Sequence, residues 1–243
     1  MARIRTGLAT LRNELYLVNK QSEDGRFYLK AWEGKTYKIE RGITREAIHA
    51  GTVKDSAEVE NNKERIIYPY IDEGKLFFLI PEQKLREKYP ECYAYLCAIR
   101  KELEKRDRGN RVYEAWYAYG RTQGRGGIQG AGLIFPTICG HPRFVLSQKK
   151  GLLVYSGYFL TSNYDIEVLS KVLNSMVMWY YIRKTSKPYS GGFMSFAKSF
   201  IKNFSIPTFS EEEKRFLKSE TDQKKVSELL IKKYGLNISV KKL

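Results

Sequence analysis

RIIYPYIDEGKLFFLIPEQKLREKYPECYAYLCAIRKELEKRDRG, residues 65–109, changes its hydrophobic period partway along. RIIYPYI (65–71) and KLFFLI (75–80) are short runs of β-branched and aromatic residues on either side of the turn signal Glu73-Gly74. That pattern predicts a hairpin, with Pro69 marking an edge strand or a bulge, because proline has no N–H for a ladder. From residue 82 to 107 the apolar positions Tyr93, Leu96, Ile99 and Leu103 recur three or four residues apart. This is a helical stripe, with Pro90 in a first turn and Gly109 just past the end. Strands followed by a helix that packs on them make the α+β class the expectation.

The flanks extend this reading. LYLV (15–18), RFYLKA (26–31) and TYKI (36–39) read as further strands, with Asp24-Gly25 as a turn. GLIFPTI (132–138) and GLLVYSGYFLT (151–161) add two more. A second helix is expected over 165–184, where Leu169, Val172, Leu173, Met176 and Tyr180 form a stripe. KPYSGG (187–192) breaks it, and FMSFAKSFIKNF (193–204) returns to helical spacing. The tail opens on SEEE, a capping box of Ser210 with Glu213 and three acids at the positive helix end. Thr221 and Asp222 can start a last helix that Gly235 ends, with Val226, Leu229, Leu230 and Lys233 against a surface or a partner. The expected fold is therefore α+β, with mixed, mainly antiparallel sheets, packed helices and a helical C-terminal tail.

At 243 residues, 42% apolar and 14% aromatic, the chain can bury a sizeable core and is not of disordered composition. Three cysteines, Cys92, Cys97 and Cys139, are too few for a disulfide framework and point to a reducing cytoplasm. No run approaches the roughly 18 apolar residues of a membrane span, and no charged-then-apolar leader is read at the start. A soluble cytoplasmic protein with no membrane partner is the expectation.

The net charge of +16 favours a polyanionic partner, since each neutralised phosphate releases condensed counterion. The excess is uneven. Residues 116–207 carry 11 basic and only 2 acidic side chains, whereas 82–115 carry 9 and 7. A solvated helical face mixes both signs; a long acid-poor stretch reads as a phosphate-facing surface.

That stretch opens on WYAYGRTQGRGGIQGAG (116–132), with three aromatics, two arginines, two glutamines, six glycines and no acid. Its glycines never give the GxGxxG spacing of a dinucleotide cradle, a strand rather than a helix follows them, and no GxxxxGK[ST] loop occurs. The Pro-Pro turn of an amino-methylating site is missing too. A Mg²⁺-dependent nuclease can be drawn on Asp55, Glu73 and Lys75, although exposed turns favour the same residues as Asp72-Glu73-Gly74-Lys75. The cysteines and the two histidines, His49 and His141, lack zinc-site spacing, and buried thiols on a helix and a strand are the plainer reading. An RNA- or partner-binding module is a further alternative. Duplex DNA gives each loop residue a task. Arg121, Gln123, Arg125 and Gln129 have the chemistry to read base edges from an adaptable segment, and Tyr117 and Tyr119 can stack or bond to phosphate. Lys187, Tyr189 and Ser190, followed by Lys198 and Lys202, offer a second set for phosphates.

Eight motifs in order carry a resemblance: GLATLRNELYLV (7–18), RIIYPY (65–70), PECYAYLCAIRKELEKRDRG (90–109), WYAYGRTQG (116–124), LIFPTI (133–138), SGYFL (156–160), LSKVLNSMVMWYYI (169–182) and SGGFMSFAKSFIKNFSIP (190–207). The series resembles the TaqI-like C-terminal specificity domain of N6-adenine DNA methyltransferases and fused restriction–modification enzymes. It implies a DNA target-recognition domain over residues 1–207, followed by a helical tail over 208–243. The resemblance also implies that catalysis, with its S-adenosylmethionine cofactor, belongs to a separate adenine methyltransferase domain or subunit. This chain itself is then expected to be non-catalytic, to hold no cofactor, and to be either an excised fragment or a stand-alone specificity protein. The base-contacting residues above rest on their chemistry and location, not on the resemblance.

Overall fold

A computed structural model describes residues 2–23, 25–74 and 76–240. Its architecture is α+β, with mainly antiparallel sheets, none of them closed, and helices at the C-terminus. Strands Arg3–Thr6, Gly157–Thr161, Gly132–Pro136 and Val145–Ser147 form one antiparallel sheet in that spatial order. A second sheet runs Leu153–Tyr155, Thr44–His49, Arg65–Ile67 and Leu17–Val18, parallel only at its first pair. Lys20–Gln21, Phe27–Trp32 and Lys35–Glu40 form a third sheet.

The hairpin is present. Tyr70–Glu73 pairs with Leu76–Leu79, and the run from residue 65 breaks at Pro69, so that Arg65–Ile67 joins a different sheet. Asp24 and Lys75, parts of two expected turns, lie outside the described residues. The helical stretch after the hairpin is three helices: Glu82–Lys88, Pro90–Ala98 and Arg100–Glu104. Proline disfavours the α conformation in the residue before it, and Tyr89 accordingly sits at φ −135° between the first two. Their apolar face, Leu85, Cys92, Tyr95, Leu96, Ile99 and Leu103, is fully buried against Tyr16, Ile66 and Ile67 of the second sheet's core. Large polar-tipped side chains are admissible there because their hydroxyls find backbone acceptors: Tyr95 Oη donates to the Leu15 carbonyl at 2.6 Å.

Four other expectations change. LYLV (15–18) is not one strand, since Leu15 and Tyr16 close the helical turn Asn13–Tyr16 and only Leu17–Val18 is extended. GLLVYSGYFLT is not one strand, because Ser156 at φ +53° hands the chain from the second sheet to the first. The helix over 165–184 divides into Ile166–Leu173 and Met176–Thr185. At the break Asn174 accepts from Phe144 N at 2.8 Å and donates to its carbonyl at 2.9 Å, while Ser175 caps the next helix. The helix expected over 193–204 is a strand, Met194–Ser195, paired with Ile138–Cys139, then a single turn, Lys198–Ile201. Long-range pairing outweighs local helical spacing here, since Phe196 N donates to the Thr137 carbonyl. Cys92 and Cys139 are buried thiols on a helix and a strand, whereas Cys97 is exposed.

The tail follows its caps. Ser210 and Glu213 form the reciprocal box ahead of Glu211–Ser219, Asp222 caps Gln223–Lys233, and Gly235 follows at φ +61°. Leu217, Val226 and Leu230 pack with Phe209 onto Val168, Val172 and Val177, so the tail shares a core with the preceding helices. No helix among the described residues is long and apolar enough to cross a membrane.

Candidate nucleic-acid interface

The strand Arg3–Thr6 is the edge of the first sheet, paired with Gly157–Thr161 alone. Around it lies a cleft of about 1000 Å³. One wall is the loop Thr122–Gln129, another the segment around Lys198–Ile201, and Phe77 of the hairpin reaches in beside Gly126. Among the described residues, five cationic side chains line the cleft, Arg3, Arg5, Arg125, Lys198 and Lys202, and no carboxylate does. Positions 3, 125 and 198 are far apart in sequence; strand pairing is what brings them to one opening. Arg3 and Arg5 alternate on a strand that carries no apolar signature, and the i, i+2 spacing of two arginines was the available sign of them.

The glycine loop is built rather than loose. Arg121 N donates to the Ala9 carbonyl, Gln123 Nε2 approaches the Gly7 carbonyl at 3.4 Å, and Ile128 N bonds to the Leu152 carbonyl. Gly124 sits at φ +72°, where a Cβ would stand 2.2 Å from Leu8 N, and Gly127 at φ +58°, where it would stand 2.8 Å from the Gly151 carbonyl oxygen. These glycines let two backbones touch. Thr122, Gln123 and Gln129 are exposed polar residues of this loop. Gln129 Nε2 donates to the Gly126 carbonyl at 2.7 Å.

Arg125 is only 6% exposed. Its guanidinium stacks 4.0 Å from the Tyr70 ring centroid, its carbonyl accepts from Tyr68 Oη at 3.1 Å, and its Nε is buried without a hydrogen-bond partner. Burial pushes the Tyr70 hydroxyl up to about 12, keeping the ring neutral beneath the cation.

The other expected residues are elsewhere. Tyr117 and Tyr119, at 1% and 2% exposed, belong to the core, each donating its hydroxyl at 2.6 Å to a carbonyl, of Ile80 and Ile67 respectively. Burial pushes Tyr117 up to about 12 and Tyr119 well above its ordinary value. A WYAY run signals aromatic mass, and only the tertiary structure tells a core ring from a stacking one. Arg121 does not line the cleft. It forks onto Asp107, at 2.8 and 3.1 Å, and Tyr113 Oη donates to the same carboxylate at 2.8 Å. The hydrogen bonds from Arg121 first, then Tyr113, draw Asp107 down to about 2. Lys187, Tyr189 and Ser190 sit on a separate exposed loop and do not line the cleft.

Of the alternative nuclease set, two members lie among the described residues. Asp55 caps Ser56–Glu60 by accepting from Glu58 N at 2.8 Å, Glu73 is the exposed last residue of the strand Tyr70–Glu73, and Lys75 is outside the described residues. Among the described residues no group of three His, Cys, Asp or Glu side chains is placed to hold a metal ion. A second cleft, about 800 Å³, mixes Lys54, Arg143, Lys171 and Lys218 with Asp55 and Glu167, and Lys218 there is 3.5 Å from Glu167. Lys218 there is paired with carboxylates, whereas no ion pair to a cation of the first cleft is found among the described residues.

No family model matches the chain. Over 130 residues, 49% of its length, it is 27% identical to the Type II restriction enzyme and methyltransferase RM.Eco57I of Escherichia coli, of which the match covers 13%. Among solved structures, the Type IIL restriction–modification enzyme MmeI in complex with DNA shares its fold at a TM-score of 0.55 and 11% identity, over 99% of this chain and 33% of that one. The chain thus spans a minor part of each relative. It is similar in sequence to a piece of one restriction–modification enzyme and in fold to a piece of another.

Proposed function

We propose that this chain is a sequence-specific DNA target-recognition domain, TaqI-like in kind, that directs an adenine-N6 DNA methyltransferase or restriction–modification enzyme to its site and is not catalytic by itself. S-adenosylmethionine and the adenine chemistry are assigned to a separate catalytic domain or subunit. The observation that carries this reading is the cleft lined, among the described residues, by five cations and no carboxylate. Unpaired cations gathered on one opening attract a polyanion and release its counterions, whereas cations with carboxylate neighbours are already neutralised. The similarity to restriction–modification enzymes, one of them solved with DNA, supports duplex DNA as that polyanion.

Within this reading Lys198, Lys202, Arg3 and Arg5 meet phosphates, and the exposed amides of Gln123 and Gln129 reach toward base edges. Arg121, held in a fork by Asp107, stands outside the cleft as a pre-oriented reader of an adjacent base pair. Selection from a pool of random duplexes tests the proposal: a single recurrent sequence should emerge, and its affinity should fall steeply with salt. Enrichment of no sequence, or equal binding to duplex RNA, refutes it.

A further inference from the structure

Among the described residues Arg125 is the one lining cation of the cleft that is itself buried; Arg143, of the second cleft, also has a buried Nε without a partner but is only half-buried as a residue. A buried guanidinium needs hydrogen-bond acceptors or a counter-charge. Arg106 of the same protein, also buried, has both geometry and acceptors, donating to the carbonyls of Leu103, Trp116 and Ala118 at 2.6–2.7 Å. Arg125 has a tyrosine face at 4.0 Å, no carboxylate among the described residues, and an Nε with nothing to donate to. Its backbone is pinned on both sides, by Gly124 against Leu8 and by Tyr68 Oη on its carbonyl. The side chain is therefore preorganised and desolvated, and its guanidinium has no hydrogen-bond acceptor among the described residues, at the wall of a cleft whose described lining lacks acids.

We propose that Arg125 is a phosphate-binding residue: its guanidinium takes the oxygens of one DNA backbone phosphate inside the cleft and reads no base. The proposal rests on the DNA-binding reading above for its ligand, and on the cleft alone for its chemistry. A phosphate matches the fork of a guanidinium, and it can be met by the two Nη groups, which are not enclosed as Nε is and have no hydrogen-bond partner among the described residues. Base reading is disfavoured by reach. The major groove is roughly 8.5 Å deep, so a reader must project from the surface, and a residue 6% exposed and clamped over a ring does not. Phosphates line the outside of the duplex, where a cleft rim can receive them, and Arg5 and Lys202 stand in the same opening to share the charge.

Two measurements on the full chain test this. In the first, thermal unfolding is followed in inorganic phosphate and in chloride at matched ionic strength. Phosphate should raise the midpoint of the unsubstituted protein, and Arg125→Lys and Arg125→Gln should abolish that difference. Absence of a phosphate-specific rise, or its survival in both variants, overturns the site. In the second, Arg125→Lys, which keeps the charge and loses the fork, is titrated with the selected duplex and with a scrambled one. Both affinities should fall by the same factor, about tenfold. A loss confined to one base pair makes Arg125 a base reader and overturns the proposal, as does unchanged binding by a folded variant. If the unsubstituted chain binds no duplex while the phosphate-specific rise stands, the DNA reading fails and the anion site survives.

Discussion

Two glycine-bearing basic segments, Gly120–Gly132 and Lys187–Gly192, look alike in sequence and differ in structure. In the first, glycine removes a side chain so that loop and strand backbones can meet, as at Gly124 beside Leu8. In the second, Gly191 and Gly192 take positive φ in an exposed turn, and nothing stands within 4 Å of where a Cβ on Gly192 would be. One segment is part of the body and walls a cationic cleft; the other is a surface turn whose Lys187 and Tyr189 face solvent. Glycine density alone therefore says nothing about mobility. What matters is whether the space left by the missing Cβ is filled.

Substitutions turn that contrast into measurements. Gly124→Ala combines a left-handed backbone with a backbone collision, and should lower stability by about 3 kcal/mol or more, read from the urea midpoint. A midpoint shift as small as that of an ordinary surface change would mean the loop is loose after all. Next in size, Lys198→Ala with Lys202→Ala should weaken binding to every duplex about tenfold or more near 0.1 M salt, and flatten the salt slope by about 0.9 per lost phosphate contact. Lys187→Ala, on the other segment, should change affinity less than either single lysine variant of the cleft. Should Lys187 prove the larger, the interface lies on the exposed turn. Arg121→Ala should relax the preference at a single base pair by roughly tenfold, in a selection repeated on the variant, and leave the others intact.

The smallest effects come last. Gly192→Ala has space but the wrong backbone conformation, and should cost about 1 kcal/mol. The Asp107–Arg121 fork adds a pH signature. Because Asp107 is held below the ordinary carboxylate value of about 3.9, its contribution to stability is complete above that value and is lost as pH falls through about 2. Asp107→Asn should therefore flatten the stability profile between about pH 4 and 2 and leave it parallel to the unsubstituted protein above pH 5. A variant that keeps the full acid slope would assign that slope to other carboxylates.

Local chemistry was legible wherever it acts over a few residues. The hairpin at 70–79, the capping box of Ser210 with Glu213, the Asp222 cap and the stop at Gly235 are all where neighbouring side chains and backbone settle the matter among themselves. Reading failed where a distant partner decided. Strand Thr44–His49, with Arg45 and Glu46 inside it, exists because Leu153–Tyr155 and Arg65–Ile67 flank it. Met194–Ser195 has helical spacing but finds a strand at Ile138–Cys139. The candidate site divides the same way. Gln123, Arg125, Gln129, Lys198 and Lys202 converge, while Tyr117 and Tyr119 are consumed by the core and Arg3 and Arg5 join from a strand with no apolar periodicity.

By itself, the sequence determined the charge imbalance, the α+β class and the ends of the C-terminal helices, because composition, period and capping are properties of a residue and its near neighbours. Which cations share an opening, which rings are core, and that Arg125 is left without an acceptor were decided only on folding. Those outcomes depend on contacts between segments far apart in the chain, from Tyr117 with Ile80 to Arg3 with Thr161, and on the desolvation that such contacts impose.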